Sequence, residues 1–227
     1  MRIVSLVPSS TETLIELGAD VIACTRFCEQ PNLLQVGGTK NPDVAAIVRL
    51  GADLVVMDRE ENRREDHDAL TAAGCRVVAS DVRSIADALE VVDELAALSG
   101  VGADAVVRTL APPLSVSRTA FVPIWRRPWM TIGRQTYGAS MLEHLGIELV
   151  ATGSSESYPT VELDDVAELA PQLVLVPSEP YDFSDEHVAE LRDRFTHARI
   201  VRVDGKDLFW WGARTAGAIN RLAEAIG

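Results

Sequence analysis

Two short segments hold all four tryptophans of the chain, Trp125-Arg-Arg-Pro-Trp129 and Phe209-Trp-Trp211. Indole rings are costly to leave in water and well suited to gripping a large flat ligand. Arginines beside them, Arg126 above all, add cation–π and carboxylate-binding capacity. The bias is regional: of twelve Phe, Trp and Tyr residues, only Phe27 precedes position 120. A second cluster is the charged run Arg59-Glu-Glu-Asn-Arg-Arg-Glu-Asp66. It reads either as a solvated helix start or as the rim of a cleft on which Arg59, Glu60, Glu61 and Asn62 meet a polar ligand edge or a partner. Cys28 sits in a loop beside Arg26 and Phe27 and is a candidate to face ligand, whereas Cys24 and Cys75 read as strand-end core residues.

Covalent and metal chemistry find little support. No G-x-G-x-x-G follows a strand, and Gly37-Gly-Thr-Lys40 lacks the spacing of a phosphate loop. Gly138-Ala-Ser-Met breaks the nucleophile-elbow pattern. His67, His144, His187 and His197 are scattered, Cys24 and Cys28 are not a C-x-x-C pair, and a bound metal is not expected. The expectation is a protein with no catalytic residues and no intrinsic cofactor.

The elements that must position these residues alternate. Short apolar runs at Ile3–Val7, Val21–Thr25, Asp53–Met57 and Arg76–Ala79 read as strands. Between them lie helical stretches: one capped by Ser9 or Ser10 and ending at Gly18, then Pro42–Leu50 and Asn62–Ala73. Connections of this length imply parallel pairing. Ser84–Leu98 carries apolar residues at helical spacing, and Gly100, Gly102 and Pro112-Pro113 punctuate the stretch after it. The pattern then restarts, with a strand at Ala120–Ile124 or Trp129–Ile132, a helix over Tyr137–Leu145 and a strand over Glu148–Ala151. Pro42–Met57 has an echo at Val161–Val176, each a short acidic-capped helix, a turn and a buried strand leading into an acidic loop. Tandem α/β units suggest an N-terminal lobe over 1–83, a connecting helix over 84–111 and a C-terminal lobe over 112–227.

Size and charge narrow the function classes. A chain of 227 residues and 24.6 kDa, 47% hydrophobic and 24% charged, fits one or two folded lobes. Its net charge of −13 repels phosphate backbones and anionic lipid, and no apolar run approaches the roughly 18–20 residues that span a bilayer, so neither nucleic acid nor membrane insertion is expected. Met1-Arg2 runs straight into a strand without an apolar h-region or cleavage site, and three cysteines are too few for a disulfide framework. The expected compartment is the cytoplasm on the sequence as it stands, or the extracytoplasmic space if a leader was removed or the start misassigned.

The order Arg2-Ile-Val-Ser-Leu-Val-Pro-Ser-Ser-Thr-Glu-Thr, Leu17-Gly-Ala-Asp, Gly37-Gly-Thr-Lys-Asn-Pro and Ala52-Asp-Leu-Val resembles the cobalamin- and siderophore-type solute-binding proteins of ABC importers. Ala170-Pro-Gln-Leu-Val-Leu-Val and Asp204-Gly-Lys-Asp-Leu-Phe-Trp-Trp-Gly-Ala-Arg-Thr extend the likeness over nearly the whole chain. The resemblance implies an α/β fold of two Rossmann-like lobes with parallel sheets, bridged by a single long α-helix. It also implies a metal-chelate ligand in a shallow cleft: a corrinoid first, then a ferric siderophore or haem. Carried over residue by residue, the implied ligand contacts are Pro8, Ser9, Arg26, Phe27, Arg59, Trp125, Trp129, Tyr181 and Trp210. Cys28, Glu60 and Arg126 join them from the reading of the residues themselves. The resemblance further implies an ABC permease as partner, docked through acidic residues among Glu61, Glu65, Glu179 and Asp182. This chain departs from the family in showing no export signal and in a connecting helix that looks short. A cytosolic carrier or sensor of a metallo-cofactor with the same fold is the alternative.

Overall fold

In the computed structural model, which describes residues 1–106, 109–113, 118–150, 153 and 155–227, the chain forms two compact units. One gathers Met1–Val82, Ala86–Arg108 and Trp211–Arg214. The other gathers Arg83–Ile85, Thr109–Trp210 and Thr215–Gly227. We refer to them as the first and second units.

The first unit is built on short apolar strands that can be covered on both faces. These are β1 (Arg2–Ser5), β2 (Asp20–Cys24) and β3 (Leu34–Gln35), the small antiparallel pair β4 (Gly37–Gly38) and β5 (Asn41–Pro42), then β6 (Leu54–Asp58) and β7 (Val77–Ser80). The main sheet runs β3-β2-β1-β6-β7, parallel throughout. Every residue of β6 is buried, as expected of a central parallel strand. Val4, Leu6, Ala23, Val36, Ile47, Val55, Met57 and Leu70 form its core.

The helices of this unit are α1 (Pro8–Glu16), α2 (Val44–Leu50), α3 (Arg64–Ala72) and α4 (Ile85–Ser99). Neither Ser9 nor Ser10 caps α1: Val7 holds the N-cap position, Pro8 opens the helix, and both serines lie buried in its first turn. Proline suits that place because its missing N–H would have no intrahelical partner anyway. Asp43 caps α2 by accepting from the Ala46 N–H at 2.8 Å, and Gly51 ends it in the left-handed region at φ 58°. α4 buries Ile85, Ala88, Val92, Leu95 and Ala96, one stripe at helical spacing. It stops before Gly100, short of the 84–111 span read from the sequence. A single 3₁₀ turn comes next at Ala103–Ala105, and residues 107 and 108 lie outside the described ones.

The second unit contains β8 (Arg118–Phe121), β9 (Pro123–Trp125), β10 (Met130–Thr131), α5 (Tyr137–His144), β11 (Ile147–Leu149), α6 (Leu163–Glu168), β12 (Leu173–Pro177), α7 (Asp185–Arg194), β13 (Arg199–Val203), α8 (Gly205–Phe209) and α9 (Thr215–Ile226). Its sheet runs β11-β8-β12-β13, again all parallel. Of the alternatives offered at 120–132, Ala120–Ile124 is divided between the end of β8 and the start of β9, and Trp129–Ile132 contains β10; β9 and β10 pair antiparallel beside the sheet. The strand read at Glu148–Ala151 starts one residue earlier, and Ala151 lies outside the described residues. Phe121, Val174, Val176, Phe183, Val188, Leu191 and Phe195 pack the core. The echoing segments do correspond: α2–β6 and α6–β12 are each a short helix leading into a wholly buried strand.

The units do not divide at the positions read from the sequence: the 84–111 stretch is shared between them, most of it in the first unit. Trp211–Arg214 belongs to the first unit although it lies beyond residue 112. The Ala213 N–H donates to Thr13 Oγ1 at 3.0 Å, and Arg214 makes a two-pronged ion pair with Glu12 at 2.8 Å on each prong. Gly212, at φ 101°, lies so close to Thr13 that no Cβ would fit.

Candidate functional site

In an open parallel α/β sheet, ligands sit outside the carboxyl ends of the strands. In the first unit this edge carries the segments that come after β2, β1 and β6, three neighbours in the sheet. Pro8 and Ser9 lie beyond β1, Arg26, Phe27 and Cys28 beyond β2, and Arg59 and Glu60 beyond β6.

The accessible residues of this edge are Arg26, Phe27, Arg59 and Glu60, with Pro8 half-buried. Phe27 is 49% exposed, and the Arg26 guanidinium lies over its ring at 4.7 Å. Both rest on Gly38, where a side chain would press on Arg26 Nη2 and Phe27 Cε2. The Arg26 N–H donates to Gly37 O at 2.9 Å, so the β4–β5 pair holds the turn from below.

Two sequence-read candidates face inward instead. Ser9 is 5% exposed and sits inside α1, and Cys28 is 2% exposed with its sulfur 3.2 Å from both Thr11 Oγ1 and Thr25 Oγ1. Asn62, read as part of a rim, is buried as well. Its Oδ1 accepts from the Asp58 N–H at 2.8 Å, and its Nδ2 donates to Thr39 O at 2.9 Å and Leu6 O at 3.2 Å. One amide thus ties together three loops of the edge.

Asp58 shapes the loop that presents Arg59 and Glu60. Its Oδ1 accepts from the Glu60 N–H at 2.8 Å and more weakly from Glu61, while Oδ2 accepts from Ser80 Oγ at 2.7 Å. Burial pushes this carboxyl above the usual carboxylate range, against the opposing effect of those three hydrogen bonds. Neither Asp58 nor Ser80 was legible as a site residue, because both read as ordinary strand ends. Arg59 extends from this loop toward Asp81 at 3.5 Å, a largely exposed pair of little energetic weight.

The second unit has the corresponding edge, where residues after β8, β12 and β13 come together. Trp125, at the end of β9, is 44% exposed and meets the Tyr181 ring edge-on at 5.1 Å. Tyr181 lies 4.7 Å from Phe183, and Phe183 stacks on Trp129 at 5.9 Å with the rings 5° from parallel. Positions 125, 129, 181 and 183 therefore form one continuous aromatic ridge. Its outer end, Trp125, is open, and its inner end, Trp129 and Phe183, merges with the hydrophobic core.

Arg126 braces the ridge. It donates through Nε and Nη2 to Glu190 Oε2 at 3.0 and 2.8 Å and lies 5.8 Å from the Trp129 ring, so its charge is already neutralised. Trp210, half-buried, donates from Nε1 to Glu179 Oε1 at 2.7 Å, and Lys206 Nζ sits 5.1 Å from its ring. Glu179, read as a docking acid, thus orients an indole. Glu61, Glu65 and Asp182 are exposed, the first two on the first unit and the third on the second. Trp211 is buried at 5% exposure and contributes packing.

Among the described residues no group of three or more His, Cys, Asp or Glu side chains is placed to hold a metal ion. No described helix is long and apolar enough to cross a membrane.

No protein-family model matches the sequence. The vitamin B12-binding protein of Salmonella typhimurium is 24% identical over 190 residues, covering 77% of this chain and 71% of the relative. The periplasmic vitamin B12-binding protein of Vibrio cholerae superposes with a TM-score of 0.79 at 17% identity, over 99% of this chain and 96% of that one. The periplasmic haem-binding protein of the same organism superposes with a TM-score of 0.81 at 18% identity, over 100% and 98%. The chain has the fold of these binding proteins. The resemblance read from the residues and the parallel α/β architecture both stand in these comparisons. The named neighbours are binding proteins rather than enzymes, and both solved structures are of periplasmic proteins.

Proposed function

We propose that the protein is a non-catalytic receptor for a metal-chelate ligand, a corrinoid before haem or a ferric siderophore, and that it serves an ABC permease outside the cytoplasm. The observation that carries this reading is the Trp125–Tyr181 ridge at the carboxyl edge of the second unit's sheet. It is an exposed indole backed by a tilted phenol, with rings behind them that fix both. Such a surface holds a broad, partly apolar ligand by stacking with little loss of side-chain freedom, because the rings are already in place. The similarity to vitamin B12- and haem-binding proteins supports the same ligand class.

Arg26, Phe27 and Arg59 are the corresponding contact candidates of the first unit, and Trp210 a further one of the second. Arg126, Trp129 and Glu179 position the ridge and Trp210. Cys28, held by Thr11 and Thr25, supports the turn that presents Arg26 and Phe27, and Ser9, buried inside α1, packs that helix rather than touching ligand. Glu61, Glu65 and Asp182 are the docking candidates for the permease. The two units act as the two lobes of the receptor, and no bound cofactor of its own takes part.

The test is a titration of intrinsic fluorescence with cyanocobalamin, haemin and a ferric hydroxamate, paired with thermal shift, since a ligand that binds the folded form raises its stability. A saturable response to at least one chelate is expected. Trp125→Ala weakens it by about 1–3 kcal/mol, the scale of lost aromatic stacking. No response to any of the three overturns the proposal. Fractionation of cells producing the protein from its native start checks the compartment, and recovery in the cytosol would favour a metallo-cofactor carrier instead.

A further inference from the structure

The aromatic ridge of the second unit meets a titratable ring. His187, half-buried in the first turn of α7, lies 5.7 Å from the Tyr181 ring and 6.2 Å from the Phe183 ring, the latter edge-on at 87°. Tyr181 is therefore surrounded by three rings, those of Trp125, Phe183 and His187. The imidazole has a second task. Ser184 caps α7: its N–H donates to His187 Nδ1 at 3.2 Å, and its Oγ accepts from the His187 N–H at 3.4 Å. In such a capping box the third helical residue is ordinarily Glu or Gln, whose side-chain oxygen accepts throughout the neutral range. Histidine accepts through Nδ1 only while the ring is neutral, because both ring nitrogens are donors in imidazolium.

We infer that His187 is a positioning residue for Tyr181 and Trp125 that acts in its neutral form, so that protonating it releases the ridge and lowers chelate affinity. The consequence for affinity rests on the receptor reading above; its cause lies in the helix cap. In imidazolium two N–H donors face each other across the 3.2 Å contact, and the ring has to turn out of the box. Turning takes it away from Tyr181 and Phe183. Phe183 is 2% exposed and stays in the core, whereas half-buried Tyr181 loses one of the three rings that fix its tilt behind Trp125. The positive end of the α7 dipole also disfavours a cation at this place. Asp182, Asp185 and Glu186 are exposed, so the pull they exert on the charged ring is outward. From β13, Arg202 donates to Asp185 at 2.5 Å and Arg199 is bonded to carbonyls at the end of α9. From α6, Asp164 is paired with Arg194 at the other end of α7, and Asp165 and Glu168 are exposed; Arg126, beyond β9, holds Glu190. Affinity therefore falls as pH drops through the range in which imidazole takes up its proton, and reciprocally the bound chelate expels that proton.

The test pairs spectra of the ligand-free full chain with binding. Isotope-labelled protein is followed by NMR from about pH 8 to about pH 5, the span of imidazole titration. Affinities for cyanocobalamin, haemin and a ferric hydroxamate are measured by fluorescence at the same pH values, in the wild type and in His187→Gln, which keeps an acceptor in the box and takes up no proton. In the wild type the Ser184 amide and Trp125 indole N–H resonances are expected to move together with the His187 ring. In His187→Gln the Trp125 resonance is expected to stay still. Over the same range the wild type is expected to lose about fivefold to tenfold more affinity than the variant, the scale of one hydrogen bond with a ring contact. The inference is overturned if the His187 ring titrates without moving Trp125, if it takes up no proton above about pH 5, or if both proteins lose affinity alike. Should no chelate bind at any pH, the receptor reading fails, and the ligand-free spectra still decide the role of His187. The wild-type spectra also decide it if the variant does not fold.

Discussion

Replacing Asn62 by alanine should unsettle the carboxyl edge of the first unit's sheet from beneath, and the size of the effect can be worked from its partners. The amide serves the Asp58 N–H, Thr39 O and Leu6 O, all from residues no more than 8% exposed. Truncation leaves one donor and two acceptors without it. An unsatisfied buried group costs about 1–3 kcal/mol. The space vacated by the side chain can admit a water, which argues for the low end, so the sum is about 3 kcal/mol. That is a large share of the roughly 5–15 kcal/mol that holds a domain folded. Two units need not unfold together, so the measurement is amide hydrogen exchange of Asp58 and its β6 neighbours alongside denaturation monitored by circular dichroism. Asn62→Asp sharpens the argument: it keeps the Oδ1 acceptor but turns an oxygen toward two carbonyls. Its carboxyl would be raised in the folded state, so this variant should regain stability as pH falls through the folded value toward the unfolded one near 4, when a proton can again be donated. A loss under about 1 kcal/mol in Asn62→Ala, with Asp58 exchange unchanged, would refute the reasoning.

The same geometry sets other outcomes. Asp58 is raised in the folded state, so the folded protein binds the extra proton. Its contribution to stability is therefore greatest below the unfolded value near 4 and declines as pH rises through the folded one, and Asp58→Asn should flatten that decline in urea titrations between pH 4 and 7. Ser10→Ala should stabilise by about 1 kcal/mol in the same assay, since Ser10 Oγ is fully buried without a hydrogen-bond partner inside α1 and alanine favours a helix. A double-mutant cycle on Glu12 and Arg214, whose side chains are 29% and 18% exposed, should return a coupling on the order of 1 kcal/mol. Gly212→Ala should destabilise even in a Thr13→Ala background, because relieving the contact with Thr13 leaves the backbone at φ 101°, where an L side chain is strained.

The elements were largely legible because their signals are local. A buried parallel strand such as Leu54–Asp58 reads as an apolar run wherever it stands, and the Ile85–Ser99 stripe shows itself by spacing alone. The site was legible as a set of segments and not as a set of roles. Trp125 and Tyr181 stand out in the sequence only as separate aromatics, and it is the adjacency of β8 and β12 in the sheet that brings their rings to 5.1 Å. Asn62 reads as a rim amide beside charged neighbours; its interior role depends on backbone groups at positions 6, 39 and 58, which no periodicity connects. The same holds for Ser9. A serine after a strand and before a helix suggests a cap, yet Pro8 fixes the helix start one residue earlier and turns the hydroxyls inward.

These misreadings share a direction. At each edge Asp58, Asn62, Cys28, Trp129 and Glu179 are spent on holding loops and rings, while other residues of the same segments, Phe27, Arg59 and Trp125, are left exposed. Polar groups buried at such an edge must find partners before anything else. A ligand surface on this fold is consequently built from side chains whose supports already satisfy one another. Substitutions at the exposed tips should therefore alter affinity with little change in stability, and substitutions at the supports should change both. A Trp125→Ala protein that lost several kcal/mol of stability, or a Glu179→Ala protein that bound chelate as tightly as the parent, would contradict that division.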